Sequence, residues 1–300
     1  MNEDSITRIF CDVDDFCRAF QGHIKSRMLS NEQAGARLPA SGMSLSEIMT
    51  LTILFHHSGY RCFKWYYKKY VQKHMREYFP KQVSYNRFVE LKSTIIIPLV
   101  LYAQNYRAGK VTGVSFIDST ALQVCHCRRI YSHKVFKGIA ERGKTSTGWF
   151  YGFKLHLVIN DKGDICAFYL TPGNVDDRNR EVMAQLSRDL WGKLFGDRGY
   201  ISKELFEMLY LRGIQLVTRL KKNMKNILMD MEDKLLLRKR AVIESVNDFL
   251  KNICQVEHTR HRSKVNFMVN LLAALAAYSF LPSKPSIGTG YGKELSLIAG

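Results

Sequence analysis

Three acids of this 300-residue sequence, Asp118, Asp197 and Glu244, sit where rigid elements can bring their carboxylates together. Converging carboxylates are what phosphodiester chemistry with two divalent ions requires, since each hard cation needs several anionic oxygens at one spot. Like charges repel, so such acids belong on strand ends and helix faces rather than on loose loops. Asp118 ends the apolar run VSFID, where an acid is costly unless paired or metal-bound. Capping of the next segment is the plainer alternative. Asp197 follows a short apolar run in LFGDRGY, where Gly196 and Gly199 permit a tight turn and close approach to a ligand. A simple Gly-Asp turn, with Arg198 paired to a nearby acid, is the alternative there.

Glu244 lies in LLLRKRAVIESVNDFLKNI, which the pattern predicts as one strong helix. At about 100° per residue, Arg240, Glu244 and Lys251 fall within roughly 40° of each other. Ile243, Val246, Leu250 and Ile253 form the apolar face beside them. A carboxylate for metal flanked by Arg240 and Lys251 for phosphate oxygens suits a site that receives a nucleic-acid backbone. A solvated, salt-bridged face is the competing reading. Asp176 and Asp177 in GNVDDR, and Glu257 beside His258, rank below these three acids.

The elements that must carry them change character along the chain. Up to about residue 108 the pattern is helical: DSITRIFCDVDDFCRAFQGHI with Asp4 as cap, a turn-like NEQAGARLPASGM, then SLSEIMTLTILFHHSGY opening on a Ser44–Glu47 capping box. FKWYYKKYVQKHMREYF and SYNRFVELKSTIIIPLVLYAQNY are each expected as one helix. Beyond that, VTGVSFIDST reads as a buried strand, and FYGFKLHLVIN with DICAFYLTPG reads as a hairpin turning at Asp161 to Gly163. DRNREVMAQLSRDL is a helix, KLFGDRGY a strand and turn, ISKELFEMLYLRG a helix stopped by glycine, and GIQLVTRL a strand. The fold class is therefore α/β, a mixed sheet flanked by helices after an all-helical part. The expected domains are 1–108, 109–285 and an irregular tail, 286–300.

Lys and Arg number 45 against 27 acids, a net charge of +18. That imbalance points to a polyanionic partner, nucleic acid first and an anionic membrane second. The longest apolar stretch, Val265 to Leu281, is shorter than the roughly 20 residues a span needs and is predicted as a buried helix. Seven scattered cysteines and a polar, acidic start imply no secretory leader and a reduced, cytoplasmic setting.

Residues 121–154 hold Arg128, Arg129, Lys134, Lys137, Arg142, Lys144 and Lys154 against one acid, Glu141. With Tyr131, Trp149 and Tyr151 they are expected to form a DNA-contacting loop. In YRCFKWYYKKYVQKHMR, Phe63, Tyr66, Tyr67 and Tyr70 are assigned to the core and the basic residues to DNA. Cys125, His126, Cys127 and His133 have poor spacing for zinc. His258 and His261 are read as structural, with phosphate contact as the alternative.

The R-x3-E-x6-K spacing of Arg240, Glu244 and Lys251 resembles the signature around the glutamate of DDE transposases from bacterial insertion sequences. Asp118 in FIDST and Asp197 in GDRGY resemble that family's two aspartates. KVFKGIAERGKTSTGWFYGFKLHLVIN, LTPGNVDDR and EHTRHRSKVNFMVNLLAALAAY are similar to the insertion-sequence 982 group, over nearly the whole chain. The wider signature has a tyrosine where this chain has Leu237, and the ending TGYGKELSLIAG does not resemble a continuation of the fold.

The resemblance implies an RNase H-like core with the first Asp on the first strand, the second just after the fourth, and the Glu on a later helix. It implies Asp118, Asp197 and Glu244 as catalytic and metal-binding residues, with Asp118 shared by two Mg²⁺ ions, which Mn²⁺ can replace. DNA would be held by Arg240, Lys251, Arg128, Arg129, Lys134, Lys137, Lys144 and Arg198. The implied activity nicks the ends of an insertion sequence and joins them to target double-stranded DNA, with a homodimer holding two ends in a bacterial cytoplasm. A nuclease or resolvase on the same core would cut without joining, and a non-catalytic DNA-binding protein would tolerate loss of all three acids.

Overall fold

The structure, a computed structural model, describes residues 3–29, 42–146, 148–219, 229–257 and 261–288. The turn-like segment's first eleven residues, His258 and the ending from residue 289 lie outside these. The chain divides into two compact units: residues 1–107 with 253–256 and 261–280, and residues 108–252 with 257–260 and 281–300.

The first unit is helical. α1 (Glu3–Leu29) takes Asp4 into its first turn. α2 (Leu45–Phe55) starts at Ser44, whose hydroxyl accepts from the Glu47 N–H while the Glu47 carboxylate accepts from the Ser44 N–H, the reciprocal cap that the sequence predicts.

The two long helices expected next are both broken. α3 (Phe63–Trp65) widens into a π turn over Tyr66–Val71 before α4 (Gln72–His74). The i→i+5 spacing of a π turn aligns Tyr66 with Val71, and both are fully buried. Farther on, α5 (Tyr85–Leu91) tightens to a 3₁₀ turn at Lys92–Ile95, and α6 (Ile96–Leu101) follows, ending in a π turn at Tyr102–Tyr106. Pro98 cannot donate to the carbonyl four residues back, which interrupts a continuous α-helix there. Tyr66 and Tyr67 are core residues, as expected, whereas Trp65 is exposed.

The second unit is built on a six-stranded mixed sheet among the described residues. Its strands are β1 (Val114–Cys125), β2 (Glu141–Thr145), β3 (Gly148–Asn160), β4 (Ile165–Pro172), β5 (Gly192–Gly196) and β6 (Ile214–Thr218). β3 runs antiparallel to β1, β4 and β2, while β5 is parallel to both β1 and β6. Across the sheet the core order is therefore β4-β3-β1-β5-β6. That is the RNase H-like arrangement, in which the first strand lies at the centre. β2 pairs with Gly148–Gly152, where β4 no longer reaches, so β2 and the start of β3 prolong the sheet beyond β4. The β3–β4 hairpin turns at Gly163, whose φ of 77° only glycine adopts readily.

β1 corrects one expectation: the strand continues past Asp118 to Cys125, so Asp118 is a mid-strand residue. Ile117 faces a core completed by α7 (Arg180–Leu186) and α8 (Lys203–Tyr210). Asn179 caps α7 and Ser202 caps α8, and Gly213 at φ 76° provides the predicted glycine stop. The helix expected around Glu244 is two helices, α9 (Met231–Lys239) and α10 (Ala241–Asn252), with Arg240 at the joint. The buried Asp233 carboxylate accepts from Lys193 Nζ at 2.7 Å, which fastens α9 to β5.

α11 (Lys264–Ser279) is buried along almost its whole length and belongs to the first unit, whereas the sequence pattern extends the second domain to residue 285. Among the described residues, no helix is long and apolar enough to cross a membrane.

Candidate active site

Asp118 stands opposite Leu157 in the β1–β3 register. Phe116 and Ile117 before it are fully buried, which fixes the backbone that presents the carboxylate. The Asp118 side chain is 23% exposed. Asn247 Nδ2 on α10 donates to Asp118 Oδ2 at 3.1 Å, and the Arg240 guanidinium lies 3.9 Å from Oδ1. Burial pushes the Asp118 carboxyl up to about 6, against the pull of Arg240 and the Ser119 N–H, while the neighbouring Asp197 and Glu244 push it the same way as burial.

Asp197 follows β5 directly, and its Oδ1 accepts from the Gly199 N–H at 2.7 Å. The two flanking glycines act differently from each other. A Cβ on Gly196 would press on Tyr200 and Ile117 at 3.1 and 3.2 Å, so Gly196 serves packing. A Cβ on Gly199 would stand 2.8 Å from Asp197 Oδ1, so Gly199 makes room for the carboxylate itself.

Glu244 lies in the first turn of α10, exposed, with Oε1 accepting from Arg240 Nη2 at 2.8 Å. Ile243, Val246 and Leu250 form the buried face of α10, as expected. Ile253 does not: it lies beyond the helix end and is 55% exposed.

Asp197 and Glu244 line one cavity of about 390 Å³ together with Arg198, Arg219, Arg238 and Arg240. Four arginines and two carboxylates line this pocket, an excess of positive charge that suits a polyanion. Leu237, at the position of the wider signature's tyrosine, forms part of the wall. Arg219, Arg238 and Asn247 were not singled out from the sequence. Asn247 sits one helical turn beyond Glu244 and had a periodic signal; Arg219, at the end of β6, had none.

The remaining predicted residues lie elsewhere. Lys251 Nζ is 3.1 Å from Glu257, whose Oε1 accepts from the Gln123 N–H at 3.0 Å, so Lys251 is tied to the end of β1 rather than placed in the cavity. Arg128 and Arg129 lie in a 3₁₀ turn, Lys134 and Lys137 follow it, and Lys144 lies on β2; all five are exposed. Arg128, Arg129, Lys134 and Lys137 thus lie in the connection between β1 and β2, whereas Arg142, Lys144 and Lys154 lie on strands, so the basic segment is not one loop. On its outer face Lys144 is opposite Trp149, with Nζ 5.7 Å from the indole centroid, and Arg142 lies 5.8 Å from the Tyr131 ring. Two members turn inward: Tyr151 is buried, and Lys154 is bonded to Asp177 and to the Val175 carbonyl. His261 packs edge-on against Phe267 in the first unit.

Among the described residues, no three of His, Cys, Asp or Glu form a group that could hold a metal ion. As they stand, Asp118 and Glu244 share a guanidinium, and the acids do not fit a metal-holding set.

Residues 108–264, over half of the chain, match the family model described as a transposase DDE domain. A solved structure, the cryo-EM piggyBac transposase synaptic complex with hairpin DNA, aligns over 90% of this chain and 70% of that chain, with a TM-score of 0.47 and 11% identity. No curated protein matches the chain.

Proposed function

This chain belongs to the DDE transposase family, and from that premise we propose that it cuts DNA at the ends of an insertion sequence of the 982 group and joins those ends to target DNA. The observation that carries this reading is the cavity shared by Asp197 and Glu244, with Asp118 reached through Arg240. In the proposal these three acids are catalytic. Arg198, Arg219, Arg238 and Arg240 receive the phosphates beside the bond to be cut.

The family's chemistry uses divalent metal ions. Mg²⁺ is the proposed ion, two to a site, with Mn²⁺ able to replace it. In the arrangement observed the Arg240 guanidinium stands on Asp118 and Glu244, so those carboxylates become available to an ion only when it moves.

The exposed cations Arg128, Arg129, Lys134, Lys137 and Lys144 are proposed to hold double-stranded DNA away from the scissile bond. Lys251 joins them in the proposal once DNA competes with Glu257 for it. The helical first unit is proposed as an accessory DNA-binding region, and a homodimer as the form that holds two element ends in a bacterial cytoplasm. The net charge of +18 supports a polyanionic partner.

The test is a cleavage and joining assay on an element end, with Mg²⁺ or Mn²⁺ and with chelator. The wild type should cut and join. Asp118→Ala, Asp197→Ala and Glu244→Ala should each abolish cutting and leave DNA binding measurable. Cutting without joining would favour a nuclease or resolvase, and cutting by Asp118→Ala would remove the proposal.

A further inference from the structure

Side chains alternate across a strand, so Asp118 and Ser119 point to opposite faces of the sheet. Behind Asp118, on the Ser119 side, lies a polar cluster that the proposed chemistry does not use. Its centre is Asp177, in the loop after β4. Asp177 Oδ1 accepts from Ser119 Oγ at 2.9 Å and from Lys154 Nζ at 3.1 Å. Lys154 Nζ also donates to the Val175 carbonyl at 2.8 Å, and its side chain is only 13% exposed.

His156 is directly opposite Ser119 in the strand register and fully buried. Its Nε2 is hydrogen-bonded with Thr171 Oγ1 at 2.9 Å, and its Nδ1 is 3.9 Å from Asp177 Oδ1 with no hydrogen-bond partner. Burial holds this imidazole neutral, pushing it down to about 4 despite Asp177. Tyr200, three residues after Asp197, is also buried. Its hydroxyl lies beside Ser119 without a well-formed hydrogen bond, in the field of Asp177, Asp118 and Asp197.

One carboxylate therefore ties together three segments: the part of β1 that carries Asp118, the β3 strand through Lys154, and the loop after β4. The adjacent Asp176 is spent differently, on an exposed fork to Arg178 at 2.7 and 3.0 Å. We propose that Asp177 is a positioning residue for the strand-cutting site: through Ser119 and Lys154 it sets the stretch of β1 that carries Asp118. The inference rests on the function proposed above. Removing the charge leaves Lys154 sequestered without its partner and Ser119 without its acceptor.

The experiment compares full-length wild type with Asp177→Asn, Ser119→Ala, Lys154→Arg, Asp118→Ala and, as control, Asp176→Asn. It reads single-turnover cleavage rate, KM for DNA and melting temperature. Asp177→Asn is expected to lower the cleavage rate by about 10-fold or more with KM for DNA unchanged, because a small displacement at a reacting group is costly. Ser119→Ala should lower the rate less, and Lys154→Arg, which keeps the charge, should retain most of it. Asp176→Asn should match wild type. An Asp177→Asn protein with wild-type rate, or one in which only KM rises, overturns the inference. Should Asp177→Asn fail to fold, Ser119→Ala with wild-type rate overturns it equally. Asp118→Ala separates the two levels: its retained cleavage sinks the transposase reading, whereas its inactivity beside a fully active Asp177→Asn sinks only the positioning role.

Discussion

The Arg240 guanidinium donates to Glu244 Oε1 at 2.8 Å while standing 3.9 Å from Asp118 Oδ1, so one cation holds two of the three acids. The helical i, i+4 spacing accounts for the first contact. As a source of stability the pair counts for little, because the Glu244 side chain is 58% exposed. Its consequence is electrostatic: a second cation approaching these carboxylates meets a charge already there. Arg240→Ala should therefore bind Mn²⁺ in the absence of DNA about 10-fold more tightly, equivalent to about 1.4 kcal/mol. It should also cut DNA more slowly, since the proposed phosphate contact is lost. Titration followed by electron paramagnetic resonance reads the first effect. Unchanged Mn²⁺ affinity would show that the guanidinium does not compete for the acids.

Asp118 makes the metal-free protein sensitive to pH. Unfolded, its carboxyl releases its proton near the ordinary 3.8; folded, burial raises that to about 6. Between those values the folded state holds more protons than the unfolded one, so this residue's contribution to stability falls as pH rises and levels off above about 6. At about 1.36 kcal/mol per pKa unit, the penalty reaches up to about 3 kcal/mol. Asp118→Asn should accordingly be more stable than wild type at about pH 8 with chelator present, and the gap should close by about pH 4. Urea denaturation at the two pH values measures it. A variant less stable than wild type at the higher pH would contradict the burial argument.

Local chemistry was legible in the residues. The Ser44–Glu47 capping box, the turn ending at Gly163, the strand before Asp197 and the i, i+4 placement of Arg240 and Glu244 all depend on neighbours a few positions apart. What escaped depends on distant partners. Lys154 and Tyr151 read as surface residues within a basic, aromatic run, yet tertiary contacts turn both inward. Lys251 has the spacing of a phosphate ligand and is held by Glu257, whose position follows from its bond to the Gln123 backbone. The continuous helices expected around Tyr66 and Pro98 fail because burial of Tyr66 with Val71, and a missing N–H at Pro98, override the helical period. The apolar run VSFID predicts a strand ending at Asp118; the half-buried continuation to Cys125 has no such run.

The outward cations and Lys154 should behave differently in DNA binding. Lys134, Lys137 and Lys144 are exposed, and each phosphate contact contributes about 0.9 to the slope of log affinity against log salt. Replacing all three by Ala should flatten that slope by up to about 2.7 and weaken binding to every duplex alike. Lys154→Met should leave the slope as it is, because its ammonium is engaged by Asp177 and the Val175 carbonyl. Fluorescence anisotropy across a salt series measures both, and an equal flattening by Lys154→Met would refute the division between outward and inward cations.

Gly199 bears on Asp197 more directly than any charged neighbour does. Its N–H donates to Asp197 Oδ1 at 2.7 Å, and a Cβ built on it would stand 2.8 Å from the same oxygen. No positive φ is involved, so alanine is acceptable to the backbone and the strain falls on the carboxylate. The Asp197 side chain must rotate away or lose its N–H donor, a charge-assisted bond whose loss at this exposed carboxylate is offset in part by water. Gly199→Ala is therefore expected to fold with a melting temperature within a few degrees of wild type, since about 1 kcal/mol moves Tm by roughly 2–4 °C at this size. Cleavage should fall by about 10-fold or more, because a displacement near 1 Å at a reacting group is costly. Serine at this position should behave like alanine, its Cβ making the same contact. Single-turnover cleavage read beside thermal melting separates the two effects. A Gly199→Ala protein that cuts at the wild-type rate would show that the Asp197 carboxylate seen on the Gly199 amide is not the one that works on DNA.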